Sequence, residues 1–300
     1  KGIEPMQFGI MEMQMNQLIP AEASGEDAID QILNFDRGAL VGSLADSGFQ
    51  VIELGGDLGL FFPTSYEPKN IQRLKDLKEN RSLAYTVHLP LWSVEPSTPL
   101  EPVRLGSVDA ILDIMDAVEP LDPEIYVLHA TGALAAEFYR MQLPQSAKAL
   151  ALKQFQGGAI NSIQTILEET GLPSRKLAIE TIEFPLELTL EMADLLDLSL
   201  CLDTGHVLAG FSGAINFDDA LDVCLPRLAE VHLHDAQDYM RTGQLGYGKD
   251  HQPLGSGDLN ANRLIKRLQK HHFEGPVIFE LSVEGAQKSM AYLKEIGAIT

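Results

Sequence analysis

Cysteine is nearly absent from this chain: there are two in 300 residues, Cys201 in an apolar run and Cys224 in a helical one, and no CxxC pair. A disulfide-stapled scaffold is excluded, and a reduced, cytoplasmic setting is the expectation. Cations are scarce too, with Lys plus Arg numbering 22 against 43 Asp plus Glu, for a formal net charge of −21. Proteins that grip nucleic acid draw most of their affinity from clustered Lys and Arg, so no nucleic acid partner is expected. No window approaches the roughly eighteen uninterrupted apolar residues of a membrane span, and residues 1–15 lack the apolar core and small-residue cleavage site of a signal peptide. No glycine-rich GxGxxG follows the first candidate strand, which argues against a dinucleotide-binding open sheet. No low-complexity linker divides the chain, so residues 1–300 read as one domain.

What remains is an ordinary globular composition, 45% apolar and 22% charged, with a strong alternation. Short apolar, β-branched runs occupy Gln7 to Met13, Gln50 to Leu54, Leu83 to Leu89, Ile125 to His129, Leu177 to Thr181, Ser199 to Asp203, Glu230 to His234 and Pro276 to Leu281. Segments of helical period separate and follow them: Asp27 to Ser47, Asn70 to Asn80, Ser107 to Val118, Ser146 to Thr170, Leu186 to Leu196, Phe217 to Leu228, Leu259 to His271 and Gly285 to Ile296. Eight strands, each followed by a helix, in 300 residues is the arithmetic of an α/β fold of the (β/α)₈ TIM-barrel type, a parallel eight-stranded barrel with outer helices. Pro90 to Pro102 and Gly243 to Gly257 read as long loops after the third and seventh strands, at the end where such barrels build their sites.

Chemistry is concentrated at the strand ends. The third ends Thr86-Val87-His88, the fourth Val127-Leu128-His129 and the fifth Ile179-Glu180-Thr181. The sixth runs Asp203-Thr204-Gly205-His206, the seventh Val231-His232-Leu233-His234-Asp235 and the eighth Ile278-Phe279-Glu280. Closing a barrel gathers strand C-termini into one ring, so these imidazoles and carboxylates converge on a single cavity. Carboxylates gathered in a low-dielectric cavity repel one another, and a divalent cation neutralises them. With nitrogen and oxygen donors and no thiolate, zinc, manganese, cobalt or magnesium suits the ring.

Neighbouring residues carry plainer readings. Alternation puts His234 on the same face as His232, while Asp235 reads as a turn cap. Glu12 and Glu53, on the first two strands, are divided between ion pairing at the barrel bottom and the rim of the site. Met11, Met13 and Met15 read as packing, and His271 and His272 as exposed helix-terminal residues. Trp92, the single tryptophan, either walls the cavity and stacks on a sugar ring or anchors its loop. Arg104, Arg140, Arg241 and Lys249 fall near loops where they either meet a phosphate or sit in solvent.

The set His-x-Pro on the third strand, His on the fourth, Glu on the fifth, Asp-Thr-x-His on the sixth and His-x-x-Asp on the seventh, with a later His-x-x-x-Gly-x-Gly and a Glu on the eighth, resembles the xylose isomerase-like, endonuclease IV superfamily. The resemblance runs from Phe8 to Leu293. It implies that Glu180, Asp203, His232 and Glu280 hold the metal shared by the superfamily's isomerases, epimerases and nucleases. His88 and His129 match ligands of a second ion in the nuclease branch, with Glu180 bridging. His206 and His251 match two ligands of a third, but Lys249 stands where that branch has an Asp, with Asp250 one position late, so one ion is expected, a second has ligands and a third is doubtful. The resemblance then casts His206 and His251 as contacts to substrate hydroxyl or phosphate, with His234, Trp92, Lys249 and Arg241 as further substrate-binding candidates.

Two reactions follow from that resemblance. As a sugar or sugar-phosphate isomerase or epimerase, the chain uses Glu180 and Glu280 to remove and return a proton through a metal-bound enediolate. As a small-molecule phosphodiesterase, endonuclease IV-like or cobamide-remodelling, it uses two ions bridged by Glu180. The first is the expectation, the second its alternative, and a non-catalytic binding barrel is least favoured. The expected partner is a small sugar or phosphorylated molecule, without membrane or nucleic acid and with a homo-oligomer left open.

Overall fold

Eight runs of aliphatic and β-branched residues pair in parallel and close on themselves: β1 (Phe8–Met11), β2 (Val51–Gly55), β3 (Ala84–His88), β4 (Tyr126–Leu128), β5 (Leu177–Glu180), β6 (Ser199–Asp203), β7 (Leu228–His232) and β8 (Val277–Phe279). β1 pairs with β2 on one side and with β8 on the other, which leaves no free edge. The architecture comes from a computed structural model that describes residues 6–12, 14, 25, 29, 32 and 34–299. Each strand overlaps its sequence-predicted run, and the TIM barrel is the fold.

Period-two alternation sorts the strand side chains. Ile52, Leu54, Tyr85, Val87, Tyr126, Leu128, Ile179, Leu200, Leu202 and Phe279 belong to the main apolar core that they share with the helices. Val127, Ala178 and Cys201 form a separate buried group. That inner face also carries the buried polar residues Glu53, Thr86 and Glu230. The barrel is therefore apolar between strands and helices and partly ionisable within.

The helices follow their caps and apolar stripes: α1 (Arg37–Asp46), α2 (Pro68–Arg81), α3 (Glu101–Val118), α4 (Ala133–Arg140), α5 (Gln145–Thr170), α6 (Leu186–Leu196), α7 (Thr204–Leu208), α8 (Phe217–Cys224), α9 (Ala261–Lys270) and α10 (Val283–Glu295). In α9, Ala261, Leu264, Ile265 and Leu268 are the buried stripe, and Asn260 caps the helix by accepting the Arg263 N–H at 3.0 Å. His271 and His272 follow it and are exposed, as expected. None of the described helices is long and apolar enough to cross a membrane.

Several boundaries differ from the sequence reading. The loop after β3 ends at Leu100, because Pro102 sits in the first turn of α3, where its missing N–H costs nothing. α4 and α7 fill segments read as loop. α8 stops at Cys224, since Pro226 imposes a 3₁₀ turn at Leu225–Arg227, and β7 starts at Leu228 rather than Glu230. Of the predicted helix from Asp27, Arg37–Asp46 is described as α1, whereas Asp27 itself, Met13 and Met15 lie outside the described residues.

Candidate active site

The Asp-Thr-Gly-His run at the end of β6 shows how the sequence builds the site. Asp203 caps α7: its Oδ1 accepts the His206 N–H at 2.6 Å, which leaves Oδ2 facing the barrel mouth. Thr204 clasps β7, its hydroxyl donating to the His234 carbonyl at 2.6 Å and accepting the His234 N–H at 3.0 Å. Gly205 makes room, because a Cβ there would lie 2.1 Å from Cε1 and Nδ1 of His234. In that room the His234 ring accepts the His251 N–H on Nδ1 at 2.8 Å, so its Nε2 carries the hydrogen and donates to Asp203 Oδ2 at 2.9 Å.

Glu180 occupies the centre of the ring. Its Oε2 lies 3.2 Å from His88 Nε2 and 3.0 Å from His129 Nε2, and its Oε1 lies 3.3 Å from His206 Nδ1. His88 donates Nδ1–H to the Leu89 carbonyl at 3.0 Å, which aims Nε2 at Glu180. His232 Nδ1 faces Glu280 Oε1 at 3.3 Å and Glu180 Oε2 at 3.6 Å, while its Nε2 reaches Glu53 Oε1 at 3.1 Å. Glu280 Oε2 lies 3.3 Å from His251 Nε2. The structure thus brings Glu180, Asp203, His232, Glu280, His88, His129, His206, His234 and His251 into one cluster.

Electrostatics holds the carboxylates ionised. Burial alone raises Glu180, but the imidazoles of His129 and His232 outweigh it and keep its pKa well below the usual range. Glu280 is likewise pulled well down, against burial, by His232 and His251. The reciprocal effect falls on the imidazoles: burial disfavours their charge, yet Glu180 and Glu53 push His88 up to about 9, Asp203 and Glu180 push His206 to about 9, and Asp250 and Glu280 push His251 to about 11.

The donor set fits a divalent cation. Glu180, Asp203, His232 and Glu280 each offer a ligand atom, all within 4.8 Å of one another, and so do His88, His129 and Glu180, and His206, His234 and His251. The buried polar atoms without a hydrogen-bond partner include Glu180 Oε1, His206 Nδ1 and His232 Nδ1, which all belong to this ring. Nitrogen and carboxylate oxygen are the donors of zinc, manganese, cobalt and magnesium sites, and the Glu53–His232 contact is of the kind by which a carboxylate orients an imidazole that could ligate.

Other predicted residues lie further out. Trp92 is 57% exposed and meets Phe61 edge-on, yet it lines a cavity together with Met11, Glu53, Asp57, His88 and Glu280. Arg241 is not brought to the ring: it is exposed and paired with Asp258 at 2.7 Å. Lys249 is exposed, and Asp250 turns inward instead, 2.9 Å from His251 Nδ1 and 3.8 Å from His206 Nε2. Arg140 pairs with Glu183 at 2.9 Å. Asp235 is more than a turn cap, because its carboxylate accepts four backbone N–H groups, from Ala236, Gly255, Gly257 and Leu259, and so fixes the loop after His251.

Glu12 and Glu53 divide between the two readings, Glu12 in an ion pair, though not at the barrel bottom, and Glu53 in the lining of the cavity. Glu12 follows the C-terminal end of β1 and is wholly buried against Arg37, while Glu53 lies inside the barrel beneath His232. Sequence reasoning does not reach Glu230, whose Oε1 accepts the Thr86 hydroxyl at 3.2 Å and whose pKa burial pushes up to about 8. Its signal was the same alternation that pairs His232 with His234.

Comparison with known proteins agrees with this geometry. Residues 41–296 match the family model described as xylose isomerase-like TIM barrel. The uncharacterized protein MJ1311 of Methanocaldococcus jannaschii is 25% identical over 76% of this chain and 75% of its own length. Among solved structures, a D-tagatose 3-epimerase-like protein is similar with a TM-score of 0.69 at 21% identity, covering 97% of this chain and 96% of that one. The D-allulose 3-epimerase from Methylomonas sp., in complex with D-allulose, is similar with a TM-score of 0.61 at 14% identity, covering 97% and 96%. The family match spans most of the barrel, so the chain belongs to the xylose isomerase-like TIM barrel family.

Proposed function

We propose that the chain is a divalent-metal-dependent isomerase or epimerase of a small sugar. The observation that carries the reading is the pair of buried, ionised carboxylates Glu180 and Glu280. They come from β5 and the end of β8 and lie 3.6 and 3.3 Å from His232 Nδ1, and Glu280 lines the cavity that opens beside the ring. The neighbours named as epimerases of ketoses share this barrel, which supports the substrate class.

Glu180, Asp203, His232 and Glu280 would hold the ion. When bound, it would supply Lewis acidity, polarising a carbonyl and so acidifying the C–H of the neighbouring hydroxyl-bearing carbon. One glutamate takes that proton as general base, and the other returns a proton to the opposite face of the flattened carbon, which inverts it. His129 and His232 keep Glu180 ionised for the task, and His251 and His232 do the same for Glu280. His234 fixes Asp203 from behind through Nε2–H.

A second reading is hydrolysis of a small phosphodiester, in which His88, His129 and Glu180 would hold a further ion that activates water. It is favoured by one observation, the approach of both His88 and His129 to Glu180 Oε2. One experiment tests both: elemental analysis of the purified protein, then a panel of ketoses and a chromogenic phosphodiester with the wild type, Glu180→Gln and Glu280→Gln. Ketose turnover lost by at least 1,000-fold in both variants is expected, in line with the rate contribution of general base and acid. Phosphodiester cleavage without ketose turnover overturns the first reading, and full activity in either variant overturns both.

A further inference from the structure

The wall of the cavity facing the ring is formed by the segments after β2 and β3, and the following inference deepens the sugar isomerase or epimerase reading on which it rests. Asp57, in the first of these segments, lines the cavity with Leu91 and Trp92 from the second. It is 6% exposed, and its two oxygens are used unequally. Oδ2 accepts the N–H groups of Leu91 at 2.8 Å and Trp92 at 3.2 Å, which pins the β3 loop to the β2 loop. Oδ1 is buried and has no hydrogen-bond partner. A buried carboxylate oxygen without a donor is costly, and such atoms call for a donor from outside the chain.

The setting is built rather than incidental. Gly56 donates to the His88 carbonyl at 2.7 Å, and a Cβ on it would fall 2.6 Å from the nitrogen and Cδ of Pro90, so the two loops approach at a distance that only glycine allows. Charge narrows the ligand further. The lining includes Glu53, Asp57 and Glu280 but neither Lys nor Arg, and Arg140 and Arg241 are committed to Glu183 and Asp258 elsewhere. A phosphate in this cavity would face three carboxylates at short range.

We propose that Asp57 is a specificity-determining residue, whose Oδ1 accepts a hydrogen bond from a substrate hydroxyl remote from the reacting carbons. It selects an uncharged polyol over its phosphate ester. The same oxygen that rewards a hydroxyl donor repels an anion, so one side chain performs both selections.

The test uses the purified protein with its bound ions and measures calorimetric binding, alongside KM and kcat, for D-tagatose, D-allulose, D-fructose and fructose 6-phosphate. Asp57→Asn is the informative variant, because its carbonyl oxygen can keep the Leu91 and Trp92 amides while an NH₂ donor replaces Oδ1. Affinity for the best-bound ketose is expected to fall about tenfold, with kcat changed less than threefold, and the wild type is expected to bind fructose 6-phosphate on the order of 100-fold more weakly than fructose. Unchanged ketose affinity in Asp57→Asn overturns the proposal, as does 6-phosphate binding that equals fructose binding, or the absence of binding by any uncharged ketose. If the variant does not fold, the wild-type comparison of fructose with its phosphate still decides. Ketose binding that depends on Asp57 without any turnover would refute the reaction class and leave the specificity role standing.

Discussion

Removing the Arg37 guanidinium strands a charge in the protein interior. Arg37 and Glu12 are both fully buried, with Nε to Oε1 at 2.7 Å and Nη2 to Oε2 at 2.8 Å. Glu12 also accepts the Gly55 N–H at 3.1 Å, and Arg37 donates Nη1–H to the Ser65 carbonyl at 3.1 Å. The guanidinium lies 4.5 Å from the centre of the Tyr66 ring, whose hydroxyl donates to the Gly55 carbonyl. Burial disfavours the charge on Arg37, but Glu12 more than compensates and the guanidinium is held above its ordinary value. Arg37→Met keeps most of the aliphatic stem and leaves Glu12 facing one N–H alone. The expected loss is about 3–5 kcal/mol, the cost of an uncompensated buried charge. At about 2 cal/mol/K of unfolding entropy per residue, a chain of this length loses roughly 5–8 °C in Tm. Arg37→Met combined with Glu12→Leu removes both charges and is expected to return to within about 1 kcal/mol of the wild type, because an apolar pair of similar volume is often neutral. Urea unfolding of the wild type, both single variants and the double variant closes the cycle. A single variant within about 1 kcal/mol of wild type, or a double variant as unstable as the worse single, would refute the reasoning.

Three further predictions concern the ring. Gly205→Ala gains helix propensity of about 1 kcal/mol but drives the His234 ring off Asp203 and the His251 N–H; a net loss of about 2–4 kcal/mol in urea melts is expected, largely relieved by adding His234→Ala. Glu53→Gln removes the carboxylate behind His232, and competition with a chromogenic chelator should show a 10- to 100-fold weaker site for zinc or manganese. His88 and His206 are raised to about 9, so their protonated forms stabilise the chelated protein fully below the unfolded value near 6.5 and cease to do so as pH climbs through about 9. Its Tm should fall across that window, and loading the ion should release protons, read as a binding enthalpy that depends on the buffer; a flat Tm and a buffer-independent enthalpy would contradict this.

The barrel was legible because its strands satisfy two local rules at once: outward apolar residues such as Ile52, Leu54 and Tyr85, and a chemical side chain at the C-terminal end. Boundaries came within two residues where the apolar stripe is complete, as in α9, read as Leu259 to His271 and found as Ala261–Lys270. They were missed where an ambiguous residue tips by context: Pro102 ends a loop or starts a helix with equal local comfort, and Ala133-Leu134-Ala135-Ala136 is too short to announce α4 by period. In the site, the strand ends supplied Glu180, Asp203, His232 and Glu280 because barrel closure is a topological fact. Asp57 escaped, and Asp250 was noted only as standing one position late, because loop geometry, which no period encodes, turns one carboxylate into the cavity wall and the other between two histidines, while Lys249 beside it faces solvent.

The acidic composition acquires a different meaning inside the barrel. Glu53, Glu180, Asp203, Glu230 and Glu280 are all buried, and none of them is paired with Lys or Arg among the described residues; the side chains they meet are imidazoles and, for Glu230, also the Thr86 hydroxyl. An Arg would neutralise each carboxylate permanently, whereas an imidazole can surrender its proton. Entry of a cation would therefore ask the ring to exchange protons rather than to break fixed ion pairs. The two layers depend on each other through His232, whose Nδ1 faces Glu180 and Glu280 and whose Nε2 faces Glu53. Substitutions at Glu53 and Glu280 should therefore couple, and their combined effect on metal affinity should fall short of the sum of the separate ones, since either alone already frees the same imidazole.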